Sequence, residues 1–348
     1  MFDYTVDEGF NVYVDTTSAC NARCDFCIAN TSGRLEGDTQ RFLDGLETAL
    51  SFTHEVDGTI QVVGGEPLIS RRFSLVMSLM KKFTFRRVVV NTNGTRLEER
   101  VPQIVEGGVT HVNISRHAIS DRENNEVMRF RKEPVTSSDL EAAVAALRNR
   151  NIRTRLQGNL INGHLDSLDK IKEYLDFAAR IGVDTVSFSE LFPLAAFPWY
   201  DAPVLRMVGS SSANTRAIVE EIQAMPGIVE YHPYEGRRSA WGDDKPSGWS
   251  DDCFPNDGTR RDHARRRFWK DESGSGVIFS IKTLSGWNLD GLPKPAAYDR
   301  ATDHELQPGV LHFAVVHSDG LVTGSWDRRE RALYEPAGIP IVNTRLAA

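Results

Sequence analysis

Cys20-Asn21-Ala22-Arg23-Cys24-Asp25-Phe26-Cys27 places three of the chain's four cysteines within eight residues. An apolar stretch, 10–17, leads into it, and a second, 59–63, runs into Gly64-Gly65-Glu66-Pro67. Thiolates are the usual ligands of iron–sulfur clusters, and a [4Fe–4S] cube ordinarily takes four of them. Three thiols on one loop hold three corners and leave one iron for another ligand. The competing chemistry for crowded cysteines is zinc, with a further Cys or His as fourth ligand. Zinc ribbons show a second C-x2-C pair, which this sequence lacks.

Outward from that loop, strand-like and helix-like stretches alternate. Apolar or β-branched runs fall at 10–17, 59–63, 87–92, 111–115, 153–160 and 184–189. Between them lie amphipathic stretches at 39–52, 73–83, 97–106, 138–148 and 167–181. Leu140, Val144 and Leu147 recur at helical spacing, as do Ile171, Leu175 and Ala178. Asp139 and Asp166 stand where helix N–H groups need acceptors, and Gly107-Gly108 and Gly182 where helices end. Strands separated by helices imply βα units and a parallel sheet. Beyond residue 195 the pattern loosens, with strand-like runs at 278–284 and a hairpin pattern of 311–316, Ser318-Asp319-Gly320 and 321–326. The organisation read from this is a core over 1–195 and an extension over 196–348 that closes the barrel and lines a cavity.

A hydrophobic content of 40% is enough for a sizeable core, and a net charge of −7 argues against coating a nucleic acid. No apolar run is long enough to span a bilayer, and no secretory signal is evident, so the expected setting is cytoplasmic. Three cysteines crowded on one loop do not make a disulfide framework.

The spacing C-x3-C-x2-C, the aromatic Phe26 before its last cysteine and the GGEP segment resemble the radical S-adenosylmethionine (SAM) superfamily. That resemblance implies an α/β fold, a partial (β/α)6 TIM-type barrel. It implies a [4Fe–4S] cluster on Cys20, Cys24 and Cys27, with SAM on the open iron. It further implies one-electron cleavage of SAM to a 5′-deoxyadenosyl radical that abstracts hydrogen from substrate. An external one-electron reductant such as flavodoxin or ferredoxin would supply the electron.

In barrels of this kind the site forms at the carboxyl ends of the strands. By resemblance, Gly64, Gly65, Glu66 and Pro67 bind the methionine amino group, through the Glu66 carboxylate or through backbone carbonyls. Asn91 and Asn93 share one face of the third strand, and His111, Asn113 and Ser115 one face of the fourth. Polar side chains amid valines are costly in a packed core, so these face a ligand. Ser115 matches the family's SAM-contacting serine, and Arg116 is a carboxylate partner by its planar fork. Arg153, Arg155, Gln157 and Asn159 line one face of the fifth strand, giving a polar cavity with Gln157 toward SAM. Ser187 and Ser189 face inward on the sixth. Leu191 or Phe192 would lie against adenine.

Candidate catalytic groups are Glu190, as substrate contact or proton acceptor, His117, as acid–base or as a loop histidine bonded to backbone, and Cys253, as hydrogen-atom donor. Arg260-Arg261-Asp262-His263-Ala264-Arg265-Arg266-Arg267 reads as a solvated face or an anion contact. Trp269, Trp287 and Trp326 read as stacking platforms or core. One leftover cysteine cannot hold a second cluster, which disfavours the family's multi-cluster branches. The expected enzyme is of lyase or oxidoreductase type and acts on a sugar or nucleoside of natural-product (antibiotic) biosynthesis. The alternatives are carbon–carbon bond formation, peptide modification, or a non-catalytic zinc protein.

Overall fold

A fourteen-residue strand, β1 (Phe2–Asp15), carries the cysteine loop at its carboxyl end. The computed structural model describes residues 2–27, 36–132, 134–191, 211–224, 229–231, 266–270, 276–282, 310–324, 332–335, 339–340 and 342–346. After β1 come α1 (Thr39–Glu55), β2 (Thr59–Val63), α2 (Phe73–Met80), β3 (Arg87–Thr92), α3 (Leu97–Glu106) and β4 (His111–Ser115). Then follow α4 (Asp121–Met128), α5 (Ser137–Arg148), β5 (Arg153–Leu160), α6 (Leu168–Ile181), β6 (Thr185–Glu190) and α7 (Thr215–Ala224). The remaining strands are β7 (Val229–Tyr231), β8 (Arg266–Lys270), β9 (Gly276–Lys282), β10 (Val310–Val316), β11 (Val322–Thr323), β12 (Ala332–Glu335), β13 (Ile339–Pro340) and β14 (Val342–Leu346).

Strands β1 to β6 are parallel neighbours in chain order, as βα units require. The expected strands 59–63, 87–92, 111–115 and 153–160 match β2 to β5 residue for residue. The sheet is open, and its parallel part is longer than six strands. β10 joins it beside β1 and β9 beside β6, both parallel, so among the described residues eight parallel strands run in the order β10-β1-β2-β3-β4-β5-β6-β9, and β14 pairs parallel with the start of β1. The extension therefore adds strands to both edges of the sheet. The hairpin expected around Ser318-Asp319-Gly320 is β10–β11, and Gly320 takes the positive φ of 90° its turn requires.

Alternation decides the two faces. Val12, Val14, Ile60, Val62, Val88, Val90, Val112, Ile114, Leu156, Val186 and Phe188 are buried against the helices. Their partners include Leu46 and Leu50 of α1, Ile104 of α3, Val144 of α5 and Leu175 of α6. Each such side chain contributes about 1.5–3 kcal/mol by leaving water. The opposite face is rich in amides, arginines and hydroxyls, among them the buried Asn11, Gln61, Asn113 and Ser187.

The helix caps refine the expected ones. Thr136 caps α5 in a capping box closed by Asp139, and Ser167 caps α6, while Asp166 accepts from the backbone N–H of Gly163 at 2.6 Å. Helix α4 is a departure from the sequence expectation, since only Asn124 and Met128 of it are buried and no apolar stripe announces it. Its signal was the Ser120…Glu123 spacing: the Ser120 hydroxyl accepts from the Glu123 N–H and donates to its carboxylate. Trp269 is packed at the edge of the core with its indole N–H on Asp176 of α6 at 2.7 Å, a structural position and not a stacking platform. Trp287, Trp326, Phe192 and Cys253 lie outside the described residues, as does the run 260–267 except for the backbone of its last two arginines in β8. Among the described residues no helix is long and apolar enough to cross a membrane.

Candidate active site

The cysteine loop is held from three directions. From β2, the Gly65 N–H donates to the Thr17 carbonyl at 2.6 Å and the Glu66 N–H to the Ala19 carbonyl at 2.9 Å. A Cβ on Gly65 would come within 2.2 Å of the Ala19 oxygen, so only glycine permits this approach. From β3, the Asn93 amide donates to Asn21 Oδ1 at 2.9 Å, and Asn21 donates to Thr95 Oγ1 at 2.8 Å. From α4 and its exit, the Met128 carbonyl accepts from the Arg23 N–H at 3.0 Å, and the Arg131 N–H donates to the Asn21 carbonyl at 2.8 Å.

Cys20, Cys24 and Cys27 are half-buried, and none of them is in a disulfide among the described residues. The Ala22 N–H points at Cys20 Sγ at 3.4 Å, and Asn93 Nδ2 lies 4.0 Å from the same sulfur. Burial raises the Cys20 thiol to about 11, with Glu66 and Cys27 adding to the rise, and burial with the two neighbouring thiols raises Cys24 further. Such thiols give up their protons to a metal, and binding is then coupled to proton release. Among the described residues no three Cys, His, Asp or Glu side chains converge on one metal-ion position. A cube instead asks for one thiolate per iron corner, with N–H donors turned toward the sulfurs. The half-buried thiols on one braced loop fit that group.

Glu66 is fully enclosed. Its carboxylate accepts from Thr92 Oγ1 at 2.7 Å, the Asn93 N–H at 2.7 Å and the Leu68 N–H at 3.0 Å. Of the two modes expected for the GGEP segment, the carboxylate is thus engaged in tying β2 to β3, which leaves the backbone carbonyls for an ammonium. Pro67 opens the short 3-10 turn that this carboxylate caps.

A row of amides crosses the open face. Gln61 donates to Asn11 at 3.4 Å, Asn91 to Gln61 at 3.4 Å and Asn113 to Asn91 at 2.9 Å. Asn91, Asn113 and Arg155 stand in register on β3, β4 and β5. One step nearer the cysteine loop, Ser115, Gln157 and Ser187 form the next register on β4, β5 and β6. Glu190 is half-exposed at the end of β6, and Leu191 beyond it is buried.

Two expectations are corrected. Arg116 is not a SAM carboxylate partner. It is 2% exposed, and its guanidinium bonds the Ile119 carbonyl, Asp121 at 2.8 Å and Ser137 at 3.1 Å while lying over the Phe177 ring. The inward–outward alternation of Val112, Ile114 and Arg116 continues past the end of β4 and turns Arg116 toward the helices. Arg116→Leu should cost about 2–3 kcal/mol in urea unfolding, because Asp121 keeps partial solvent contact. A stability equal to the parent's would refute that role.

His117 is the second. Its Nδ1 accepts from the Asn159 N–H at 3.0 Å, its own N–H donates to Asn124 Oδ1 at 2.8 Å, and Phe26 meets its ring edge-on at 4.9 Å. Burial, aided by His164, depresses its pKa to about 3, so it is neutral near pH 7 and poorly suited to accept a proton. It is the loop histidine bonded to backbone, and it buttresses Phe26. Asn21 and Met128 were missed: Asn21 sits inside the motif but carries no chemistry by type, and Met128, whose Sδ is 3.6 Å from Cys24 Sγ, lies on α4, which shows no apolar stripe.

Residues 14–178 match the family model described as the radical SAM superfamily. A probable GTP 3′,8-cyclase of Sulfolobus acidocaldarius is 27% identical over 183 residues, covering 52% of this chain and 56% of that protein. A GTP 3′,8-cyclase of Pseudomonas syringae is 28% identical, covering 52% and 53%. The chain thus spans about half the length of the curated relatives it matches. Among solved structures, Streptococcus suis SuiB bound to precursor peptide SuiA aligns with a TM-score of 0.45 at 14% identity, over 58% of this chain and 44% of that one.

Proposed function

Since the segment 14–178 belongs to the radical SAM superfamily, whose members use a [4Fe–4S] cluster and S-adenosylmethionine, we propose that this chain abstracts a hydrogen atom from a small polar substrate, a sugar or nucleoside. When bound, the cluster and SAM supply one-electron cleavage to methionine and a 5′-deoxyadenosyl radical, which takes the hydrogen and leaves as 5′-deoxyadenosine. The electron comes from an external carrier of the flavodoxin or ferredoxin kind.

The chain's own residues divide the work. Cys20, Cys24 and Cys27 hold three irons. The carbonyls of the Gly64–Gly65 turn receive the methionine ammonium, Asn93 sets the loop against β3, Ser115 and Gln157 contact the nucleoside part, and Leu191 lies against the base. Glu190, at the mouth, binds substrate or accepts its proton. The substrate radical then loses water or carbon dioxide, and the radical that remains takes one electron from the external carrier and one proton; in an alcohol oxidation it instead gives up one proton and returns one electron along the route by which the carrier's electron entered.

The observation carrying this reading is the continuous polar face of β2 to β6 beneath the cysteine loop. The amides there already bond one another, while the buried Ser187 hydroxyl has no partner among the described residues, and a hydroxylated ligand supplies one. The relatives are named for a reaction of GTP, which belongs to the nucleoside class. With the protein reconstituted anaerobically and reduced, one member of a panel of sugars, nucleosides and nucleotides should raise 5′-deoxyadenosine release above the substrate-free rate. A cluster-loaded protein whose release no panel member stimulates would contradict the substrate class. One that releases none at all would contradict the chemistry.

A further inference from the structure

Arg155 stands in the middle of the polar face with no acidic partner among the described residues. On β5 it pairs in register with Asn113 of β4 and Thr185 of β6. Its Nε donates to Thr185 Oγ1 at 3.3 Å, and among the described residues no carboxylate lies within ion-pair distance of it. The nearby acid, Asp184, is already engaged: one oxygen takes Arg153 at 2.8 Å and the other takes the Thr154 N–H at 2.7 Å. Glu66 is enclosed by its three donors on the far side of the sheet's mouth. A guanidinium presents five donors in a plane and keeps its charge at any working pH. Most of Arg155's donors are therefore free on the face that takes the ligand.

Two further polar atoms in this neighbourhood lack partners. Ser187 is 2% exposed and its Oγ has no hydrogen-bond partner among the described residues. Val186 and Phe188 on either side of it pack into the helix-facing core, so Ser187 faces inward beside Gln157. Nε2 of His111, one register step below Asn113, is likewise buried and unpartnered. The local field is positive: His111 is pushed down to about 3, first by burial and then by Arg87, Arg155 and Arg153. A buried serine hydroxyl without an acceptor, beside a guanidinium that has no carboxylate next to it among the described residues, is what an anion completes.

The layering gives the anion a place relative to the chemistry. Ser115, Gln157 and Ser187 form the register step nearest the cysteine loop, and Arg155 lies two residues deeper on the same face of β5. Two residues of strand span about 7 Å. That is the scale of one sugar ring with an anionic substituent.

We propose that Arg155, with Ser187 and Gln157 above it, is an oxyanion-binding floor, and that the substrate is a sugar or nucleoside bearing a phosphate ester or a carboxylate. This deepens the proposed function and rests on it for the identity of the ligand's neutral part. Arg155 binds the anion by charge-assisted hydrogen bonds, Ser187 donates a further one, and the carbon to be attacked is held at the upper step. Arg155 is a substrate-binding residue that selects for charge.

The test is calorimetric titration of the cluster-loaded, oxidised protein in the presence of SAM, where no turnover occurs. Two matched pairs serve as probes: GMP against guanosine, and glucuronate against glucose. The anionic member of at least one pair should bind about tenfold or more tighter than its neutral counterpart, as expected for charged hydrogen bonds. The pair that shows it tells phosphate from carboxylate. Arg155→Gln should erase the preference, and Arg155→Lys, which keeps the charge, should retain part of it, which separates charge recognition from a packing role. Equal binding of anionic and neutral members in both pairs overturns the proposal, as does a preference that survives Arg155→Gln. The two readings fail separately. Deoxyadenosine release stimulated by guanosine or glucose without any anion preference would leave the function standing and remove the floor. An anion preference lost in Arg155→Gln, with no deoxyadenosine formed under reduction, would leave the floor and remove the function.

Discussion

Cys24→Ala, reconstituted anaerobically with iron and sulfide, should keep the parent's far-ultraviolet circular dichroism and release no 5′-deoxyadenosine. The loop's position depends on backbone bonds that alanine preserves: the Arg23 N–H to the Met128 carbonyl, the Arg131 N–H to the Asn21 carbonyl and the Glu66 N–H to the Ala19 carbonyl. The Cys24 sulfur itself makes long contacts to the Met128 carbonyl and Sδ, at 3.5 and 3.6 Å. Its loss should cost about 1 kcal/mol or less in stability. The chemical cost is total, because a cube with two remaining thiolates has two uncommitted irons. Spectroscopy would report this as loss of the visible absorption and electron paramagnetic signal of a four-iron cluster. A variant that still assembles the cluster and cleaves SAM would mean that Cys24 is not a ligand.

Glu66→Gln should lower stability by about 2–4 kcal/mol and alter its dependence on pH. Glutamine keeps one acceptor oxygen for Leu68 and Thr92 but sets an amide NH2 against the Asn93 N–H, leaving two donors facing each other. The pH effect follows from burial, which outweighs the three donors and raises the carboxyl from its ordinary value near 4.5 to about 7. Between those values the folded protein holds a proton that the unfolded chain has released. Stability attributable to this group is therefore fully present below pH 4.5 and declines as pH rises toward 7. The decline amounts to at most about 3–4 kcal/mol, at about 1.4 kcal/mol per unit. Asp121, whose pKa is lowered by its bonds to Ser137 and Arg116, contributes the opposite slope below its ordinary range. The parent-minus-variant difference cancels that background. Urea unfolding of the metal-free proteins across this interval should show the decline in the parent and not in Glu66→Gln. Parallel curves would show that the buried carboxyl does not titrate there.

Much of the scaffold was legible because its signals are local. Strands β2 to β5 begin and end where the apolar runs do, since each is a short valine-rich segment bounded by turn residues and charges. The face assignment on β4 was legible too, because alternation on a strand needs no knowledge of neighbours. Helix α4 was not, since its eight residues bury only Asn124 and Met128 and earn their place by gripping the cysteine loop. Arg116 and His117 were misread because residue type suggested chemistry. A guanidinium between Asp121 and Ser137, and an imidazole accepting from the Asn159 N–H, are long-range pairings invisible in a linear string.

By itself the sequence determined the alternating α/β pattern, the three-thiol loop at the end of the first strand and the polar character of one sheet face. These follow from spacing and side-chain type, which act over a few residues. Only the tertiary structure decided that β9 and β10 widen the parallel sheet on both edges, that the Glu66 carboxylate is spent joining β2 to β3, and that Arg155 has no carboxylate beside it among the described residues. Each of those depends on which distant strand lies alongside, and therefore on which donors and charges are already satisfied before any ligand arrives.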